Sequence, residues 1–447
     1  MLTAVGLGII VVIVILLMTE KLSPVISLIM IPFVGALIAG FGPAELAEFY
    51  QSGTRSVLQV VILFIFAILF FGVMNDVGLF RPMIHFLVTV TKGNVVAVAV
   101  GTVLVSAIAQ LDGAGASTFL LIVPPLLPLY QRLKMSPYLL FLLLAASAGV
   151  VNILPWGGPL GRLASVLEMD VVALWRPLIG IQVTGIVLLI LLAFGLGKRE
   201  QKRIIKGHGR LVTQAEADSL ALEHTQGQPS AERVALDAAT EALLRPKLLW
   251  VNFLIFVLTL AVLFVGWLLP GYVFMLSLSV ALLINYPKPA MQLARIQAHA
   301  GGAIMMASII LAAGTFLGIL RESGMLNSIA LALVDVLPGA LLPYLHLVIG
   351  ILGTPLELVL STDAYYFALF PVVHEITAQV GVASTSAAYA MLLGSIVGTF
   401  VSPFSPALWL GLGLARLSMG AHIRYSFMWI WGVSLVLLAI SVVTGLI

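Results

Sequence analysis

The sequence predicts an all-α polytopic membrane protein with two inverted-topology repeats, each of about five membrane spans plus one re-entrant helical hairpin. Hydrophobic residues make up 61% of the 447 residues and charged residues only 9%, whereas soluble domains carry roughly 25% charged residues. Apolar runs long enough to cross a bilayer, about 20 residues, recur along the chain. In addition, polar interruptions recur in the same order in both halves, as in many transporters built from repeats.

The repeat is visible as three landmarks with similar spacing. "FGVMNDVGLF" at 71–80 aligns with "LGILRESGML" at 317–326. Each is followed by a polar stretch that leads into a proline, "DGAGASTFLLIVP" at 112–124 and "LSTDAYYFALFP" at 360–371. Further on, each half has a second break, "NILPWGGP" at 152–159 and "FVSPFSP" at 400–406. The spacing indicates two copies of one arrangement of spans.

The first repeat is predicted over residues 1–197 and the second over 248–447. The first has spans at about 1–18, 24–41, 56–74, 137–166 (broken) and 176–197, with a hairpin at about 95–130 whose tip carries Asp112. The second has spans at about 249–269, 271–285, 301–320, 384–414 (broken) and 425–446, with a hairpin at about 339–377 whose tip carries Asp363. Five crossings is an odd number, so the repeats are inverted. Residues 1–18 form the first span, since no basic region precedes them and no cleavage site follows.

Charge is concentrated between the repeats. Residues 198–247 hold nine of the 22 Lys and Arg and seven of the 19 acidic residues, which predicts a solvated linker with a short amphipathic helix near 230–244. If this linker is cytoplasmic and both termini lie outside, 18 of the 22 basic residues lie inside, as the positive-inside rule requires. The protein is therefore expected in the cell (inner) membrane. Its basic balance does not imply nucleic acid, and without cysteine it has no disulfide or thiolate metal site.

The first hairpin tip contains small residues that suit a binding site at membrane depth. Unwound backbone there is tolerated only where protein or a water-filled cavity surrounds it. Gly113 and Gly115 let the chain reverse and let a ligand approach the backbone. Ser117 and Thr118 begin the return helix, whose free N–H groups attract anions. Small residues also allow close helix packing. Taken without Asp112, these positions therefore fit a binding site and a helix-packing face equally well.

The acidic residues favour transport over packing. A carboxylate at mid-membrane costs a few kcal/mol or more and is usually functional. Asp112 and Asp363 are therefore expected to face one shared chamber, where each carries a coupling proton or contacts a cation directly. Ser361 and Thr362 stand beside Asp363 as candidate binding residues.

The second breaks are predicted to complete the site. Prolines remove backbone donors there and glycines loosen the helix. A guanidinium at Arg162, about one turn past the first break, suits a carboxylate but also fits a side chain that extends to the headgroups. Trp156 fits stacking over the site or plain packing. The breaks contribute these candidate binding residues: Asn152, Trp156, Gly157, Gly158, Arg162, Ser402 and Ser405.

Other polar residues carry weaker signals. Glu357 lies in the second hairpin and either titrates or faces its solvated side, while Asp76 and Glu322 are expected at helix ends near water. His346 and His374 lack metal-ligand spacing and are interpreted as structural. No nucleotide loop or nucleophile–base set appears, so neither an enzyme nor a primary pump is expected.

Four segments of the chain resemble one family. "MTEKLSPVISLIMIPFVGALIAGFG" (18–42), "LDGAGASTFLLIVPPLLPLYQRL" (111–133), "VVNILPWGGP" (150–159) and "LSTDAYYFALFPV" (360–372) resemble the citrate–divalent-metal:proton symporter family of the ion transporter superfamily. The resemblance covers both membrane halves but not the linker. It implies uptake of citrate complexed with Mg²⁺, Ca²⁺ or a similar ion, driven by protons, with no tightly bound cofactor. It also implies inverted repeats, a scaffold and a moving part as in an elevator, and a homodimer.

The resemblance places the site at Asp112–Thr118, Asn152–Pro159, Ser361–Asp363 and Ser402–Pro406. Free citrate is trivalent near neutral pH and would be repelled by two buried carboxylates, whereas a bound divalent cation brings the complex to a charge of −1. Within the same superfamily, a sodium-coupled carrier of another organic anion or a cation/proton antiporter stays open as an alternative. A channel would show rings of charge or filter carbonyls, which the sequence lacks.

Overall fold

The computed structural model describes residues 1–19, 21–79, 82, 94–208 and 241–447, and within these residues it contains helices and no β-strand. The first repeat contains α1 (Leu2–Met18), α2 (Pro24–Ile38), α3 (Pro43–Asp76), α4 (Val95–Ala109), α5 (Gly115–Arg132), α6 (Pro137–Val151), α7 (Gly158–Leu167), α8 (Val171–Trp175) and α9 (Ile179–His208). A short 3₁₀ turn, Gln110–Asp112, follows α4, and another, Arg176–Leu178, precedes α9.

The second repeat has the same sequence of spans, hairpin and broken span. It contains α10 (Leu249–Val265), α11 (Pro270–Asn285), α12 (Pro289–Glu322), α13 (Met325–Val336), α14 (Leu345–Ile351), α15 (Gly353–Leu356), a π-helix (Ala364–Leu369), α16 (Phe370–Gln379), α17 (Ser384–Ser395), α18 (Pro406–Ala415) and α19 (Met419–Val443). Short 3₁₀ turns cover Pro246–Leu248, Leu342–Tyr344 and Ile396–Phe400.

Six stretches of the described residues are long and apolar enough to cross a membrane. They are Pro43–Asp76, Val95–Asp112, Val171–Lys206, Pro246–Val265, Pro289–Glu322 and Met419–Val443. The remaining predicted spans consist of shorter apolar helices, because prolines and glycines interrupt them. The chain is therefore an integral membrane protein, as predicted.

The residues predicted as hairpins and broken spans contain helices separated by turns or irregular backbone. The first hairpin is α4 and α5, which meet at a tip around Asp112, and the second runs from α14 to α16 around Asp363. The broken spans are α6 with α7, interrupted at 152–157, and α17 with α18, interrupted beyond the 3₁₀ turn. Glycine and proline set these interruptions, because glycine favours unwound backbone and proline cannot donate a backbone hydrogen bond.

Three details differ from the sequence prediction. Helices α3 and α12 have 34 residues each and extend well beyond the predicted spans. Helix α9 continues through the first residues of the predicted linker to His208, while the amphipathic helix predicted near 230–244 lies largely outside the described residues. Helix α13 was not predicted, because its 12 residues are too short to register as a span.

The two repeats pack against each other with inverted symmetry. Helix α2 packs on α12, and its counterpart α11 packs on α3. In the same way, the first hairpin arm α4 packs on α6, and α14 packs on α17. These matched contacts place the two hairpin tips and the two helix breaks around one centre.

Helices α3 and α12 cross at glycines. A Cβ atom at Gly53 would collide with the carbonyl oxygen of Gly314, and one at Gly318 would collide with the carbonyl oxygen of Phe49. The two backbones are therefore in direct contact, because no side chain separates them. This crossing joins the repeats tightly beside the centre.

Candidate functional site

A cavity of about 680 Å³ lies where the tips and breaks of both repeats meet. The predicted site residues that line it are Gly113, Gly115, Asn152, Gly158, Arg162, Ser361, Thr362, Asp363 and Ser405. The remaining predicted residues, namely Asp112, Ser117, Thr118, Trp156, Gly157 and Ser402, are not among its lining residues. Each tip and each break thus contributes at least one residue to a common chamber.

Several helices begin at the wall of this cavity. Helix α5 starts at Gly115, α7 at Gly158 and α18 at Pro406, and all three residues line the chamber. Helix α2 also begins there, at Pro24. The start of a helix carries a partial positive charge and free N–H groups. The chamber is therefore polarised to attract an anion.

An ion pair between the two repeats crosses the chamber. Arg162 on α7 donates from Nη2 and Nε to Oδ1 of Asp363, at 2.7 and 2.8 Å. The side chains are only 9% and 13% exposed, so they are shielded from water. Hydrogen bonds between charged groups are strong in such a buried position. Arg162 therefore lines the chamber with its guanidinium paired to Asp363.

The second tip has an irregular backbone around these groups. Thr362 and Asp363 start the helix that continues as the π-helix, and Ser361 caps it by accepting a hydrogen bond from the N–H of Ala364 at 3.2 Å. π-Helical turns are rare and are frequent at functional sites. Thr362 and Asp363, directly before this irregular turn, line the chamber.

Glu357 lies at this tip and is completely buried. Its Oε2 accepts a hydrogen bond from Thr362 Oγ1 at 3.4 Å, and its Oε1 has no hydrogen-bond partner among the described residues. Ser402 donates to the Glu357 backbone carbonyl at 2.5 Å and ties the second break to the second tip. The alternative that Glu357 faces solvent is therefore wrong. Ser402 contributes to the backbone of the tip through its hydrogen bond to Glu357.

The first tip is closed by its own hydrogen bonds. Asp112 accepts from the N–H of Ala114 at 2.8 Å and from the hydroxyl of Ser117. The turn depends on Gly113, whose φ of 72° is in the left-handed region. Asp112 is not among the lining residues of the chamber, and this turn directs its carboxylate onto the start of α5.

A buried polar chain supports the first tip. Thr118 donates to Gln110 Oε1 at 2.6 Å, and Gln110 Nε2 lies 3.5 Å from Asn152 Oδ1. The chain connects the first tip to the first break, where Asn152 lines the cavity. Gln110 was not predicted, although a fully buried glutamine beside Asp112 is the kind of polar residue that signals such a network.

Trp156 packs behind the first tip. Its Nε1 donates to the backbone carbonyl of Leu111 at 2.8 Å, and its ring stacks on Phe71 at a centroid distance of 5.0 Å. A Cβ atom at Gly113 would lie 2.9 Å from Trp156 Cδ1. Of the two interpretations of Trp156, packing is the one that its contacts support.

The cavity also has walls that the sequence did not indicate. They come from the end of α1 and the start of α2, from the middle of α12 and from either side of the second break: Leu17, Leu22, Ser23, Pro24, Met306, Ile309, Thr399 and Ala407. Phe400, Phe404 and Pro406, which also line the cavity, belong to the second break that the sequence indicates. Most are apolar, and an apolar residue in a membrane helix gives no sign of whether it faces lipid or a cavity.

The remaining polar residues lie away from the cavity. Asp76 is paired with His299 at 2.8 Å, and Glu322 accepts from Ser52 at 2.7 Å. His374 is hydrogen-bonded to Ser384 at 2.8 Å. Among the described residues, no group of three or more His, Cys, Asp or Glu could hold a metal ion.

Helical hairpins and broken helices from inverted repeats that enclose one polar chamber define the class of the protein, a membrane transporter. Comparison with known proteins agrees and identifies the family. Residues 1–394 match the sequence profile of the citrate transporter family, and the chain belongs to this family. The family resemblance noted in the sequence is thereby confirmed.

Curated relatives from Bacillus subtilis (strain 168) span nearly the whole chain. A "Citrate transporter" is 35% identical over 447 residues and covers 100% of both chains. A "Mg(2+)/citrate complex secondary transporter" is 32% identical over 437 residues, 97% of this chain and 96% of the relative. The "Uncharacterized transporter YraO" is 33% identical over 448 residues, 100% of this chain and 99% of the relative.

A solved structure supports the fold. The YdaH transporter of Alcanivorax borkumensis, described as having an unusual topology, matches with a TM-score of 0.56 at 15% sequence identity. The match covers 90% of this chain and 88% of that one. At this identity the likeness extends to the fold alone.

Proposed function

We propose that this protein imports citrate complexed with a divalent metal ion, in symport with protons. The observation that carries the proposal is the buried Arg162–Asp363 ion pair in a chamber surrounded by helix starts. Within the chamber, the Arg162 guanidinium lies beside the Asp363 carboxylate. A metal–citrate complex carries the opposite charges, a carboxylate for Arg162 and a metal ion for Asp363. One relative is named for a Mg²⁺/citrate complex.

The anion side of the complex suits Arg162 and the helix starts. A guanidinium holds a carboxylate by parallel hydrogen bonds, and the backbone N–H groups at Gly115 and Gly158 can bind further carboxylate oxygens. Citrate has three carboxyl groups, so it can engage several of these donors at once. We infer that a citrate carboxylate displaces Asp363 from Arg162 on binding.

The metal side suits Asp363. Once Arg162 binds citrate, Asp363 would be a buried carboxylate without a counter-ion, which is costly. A divalent ion carried by citrate restores that charge, and oxygen ligands are those that Mg²⁺ and Ca²⁺ prefer. The described residues offer no cluster of three ligands, so we expect citrate and water to supply most of the coordination.

Arg162 separates the proposal from one of its two alternatives. Acidic residues without an arginine in the site would favour a cation/proton antiporter, whereas here Arg162 lines the chamber. A sodium-coupled carrier of another organic anion would suit Arg162 equally well. That alternative differs in the coupling ion and in its independence of a divalent metal.

For the orientation and the assembly we propose what the sequence predicts. We propose that the 198–247 linker is cytoplasmic and both termini are outside, and that the protein is a homodimer, as the family resemblance implies. The connection between α1 and α2 then lies towards the cytoplasm. Since Leu22 and Ser23 of this connection line the chamber, this orientation supports a conformation that faces the cytoplasm.

Uptake of radiolabelled citrate into proteoliposomes tests the proposal. We expect uptake to require a divalent cation, to rise under an inward proton gradient and to be independent of Na⁺. A panel of Mg²⁺, Ca²⁺, Mn²⁺, Ni²⁺, Co²⁺ and Zn²⁺ identifies the metal. Uptake that needs Na⁺ and ignores divalent cations would contradict the proposal.

A further inference from the structure

Glu357 is a buried acidic residue that the binding scheme above does not use. It is completely buried, and its Oε1 has no hydrogen-bond partner among the described residues. Nor does any Arg, Lys or His of the described residues lie within ion-pair distance of its carboxylate. An ionised carboxylate in such a place is strongly destabilising unless a cation or a proton neutralises it.

The charges around Glu357 are unbalanced in this conformation. Arg162 and Asp363 are the charged groups that act on it, and Arg162 is already paired with Asp363. Tyr365 and Tyr366 of the π-helix offer it no hydrogen bond, since their hydroxyls are hydrogen-bonded to Met391 O and to Ser395. The Arg162 guanidinium is therefore the one positive charge acting on two carboxyl groups, and its ion pair is with Asp363.

We propose that Glu357 binds the proton that is co-transported with the substrate. This inference rests on the proposed function, whose coupling ion it assigns to one residue. A proton fits the site better than Na⁺, because Glu357 does not line the cavity and is in contact with few oxygen ligands. A proton needs no cavity of its own.

The neighbouring residues connect Glu357 to the bound substrate. Thr362 lines the cavity and contacts Glu357 Oε2 through its hydroxyl. Thr362 is adjacent to Asp363. We expect the Asp363 carboxylate to leave Arg162 and contact the metal when the complex binds. Binding therefore changes the electrostatic field at Glu357, so that occupation of the cavity and protonation of Glu357 depend on each other.

The test compares Glu357→Gln with Glu357→Asp and with the control Glu375→Gln. Glu375 lies on α16 in the same hairpin, is partly exposed and does not line the cavity. Each variant is reconstituted and assayed for exchange of metal–citrate without a pH gradient and for accumulation under an inward proton gradient. Elution as a single peak in size-exclusion chromatography shows that a variant is folded.

We expect Glu357→Gln to lose accumulation and the pH dependence of transport while measurable exchange persists. Glu357→Asp should restore part of the pH response, and Glu375→Gln should behave as the wild type. Accumulation by Glu357→Gln with the wild-type pH profile would overturn the assignment. So would loss of both exchange and accumulation in a folded Glu357→Gln protein, or accumulation driven by a Na⁺ gradient.

A second readout does not depend on the identity of the substrate. Infrared difference spectra on changing pH should show a protonated carboxylic acid band in the wild type that is absent in Glu357→Gln. If the wild type fails to transport metal–citrate but this band is present and lost in Glu357→Gln, the proposed function fails and the proton site stands. If transport occurs and the band is unchanged in the variant, the proton site fails alone.

Discussion

The two hairpin tips occupy equivalent places in the inverted repeats, yet they use their acidic residues differently. At the first tip, the Asp112 carboxylate is satisfied by Ala114 and Ser117 of its own turn. At the second tip, Asp363 reaches across to Arg162 of the other repeat, and Glu357 has an oxygen without a hydrogen-bond partner among the described residues. The first tip closes on itself, and the second is open to a ligand.

This difference shows that the two copies of one hairpin motif can present different groups to the chamber. The first tip presents backbone, since Gly113 and Gly115 line the chamber while Asp112 holds the turn in shape. The second tip presents charge. An anion with a bound cation needs both, because backbone N–H groups suit its carboxylates and a carboxylate suits its metal.

The strongest test of the comparison is removal of the guanidinium that the second tip binds. We expect Arg162→Gln to raise the apparent KM for citrate about 30-fold or more, since truncating one partner of a buried charge pair costs about 2 kcal/mol or more. Exposed Arg176 lies outside the cavity, and Arg176→Gln is the control. An unchanged KM in Arg162→Gln would show that the ion pair plays no part in binding.

Replacing the two aspartates tests the division directly. Asp363→Asn should lower metal-dependent uptake roughly tenfold or more, as hydrogen bonds to charged groups contribute about 1.5–3 kcal/mol. Asp112→Asn should retain uptake and unfold at a lower temperature, because it weakens the bonds that close the first tip. Initial uptake rates and thermal unfolding in detergent measure both effects. The opposite pattern would restore the sequence-based expectation that Asp112 couples transport.

The shape of the first tip can be tested at Gly113. Gly113→Ala forces alanine into a left-handed backbone, which costs about 1–2 kcal/mol, and also brings its Cβ to 2.9 Å from Trp156. Gly324 has a similar φ of 73°, and no atom lies within 4 Å of the place that a Cβ would take there, so Gly324→Ala isolates the backbone cost. We expect the larger loss of thermal stability for Gly113→Ala. Equal losses would mean that Trp156 adjusts freely.

The smallest effect is expected at Ser117. Its hydroxyl bonds to Asp112 and to the carbonyl of Ala114 and does not line the cavity. Ser117→Ala should cost about 1 kcal/mol of stability and leave the apparent KM for citrate unchanged. A raised KM would place Ser117 in contact with substrate and make the two tips more alike.

The sequence is sufficient to predict the architecture of this protein. Apolar length locates the spans, and the prolines and glycines at 152–159 and 400–406 locate the breaks, because a membrane offers the backbone no other hydrogen-bond partners. Helix α13, which packs on α1 and α16, was missed because its 12 residues are too short to register as a span.

The direction of side chains at the tips could not be predicted. Asp112 and Asp363 stand at equivalent hairpin tips, but the turn at Gly113, which has a left-handed backbone, directs one carboxylate back, whereas the other pairs with Arg162 in the chamber. Met306 and Ile309 were missed because apolar residues in a span look the same whether they face lipid or substrate. Such distinctions arise from tertiary packing.

The glycine crossing of α3 and α12 has a mechanical consequence. Side chains at an ordinary helix interface can change rotamer and let the helices slide, but at Gly53, Gly314 and Gly318 backbone meets backbone and leaves nothing to rearrange. We infer that these two helices act as a rigid strut. The strut thereby fixes the distance between the two repeats beside the chamber.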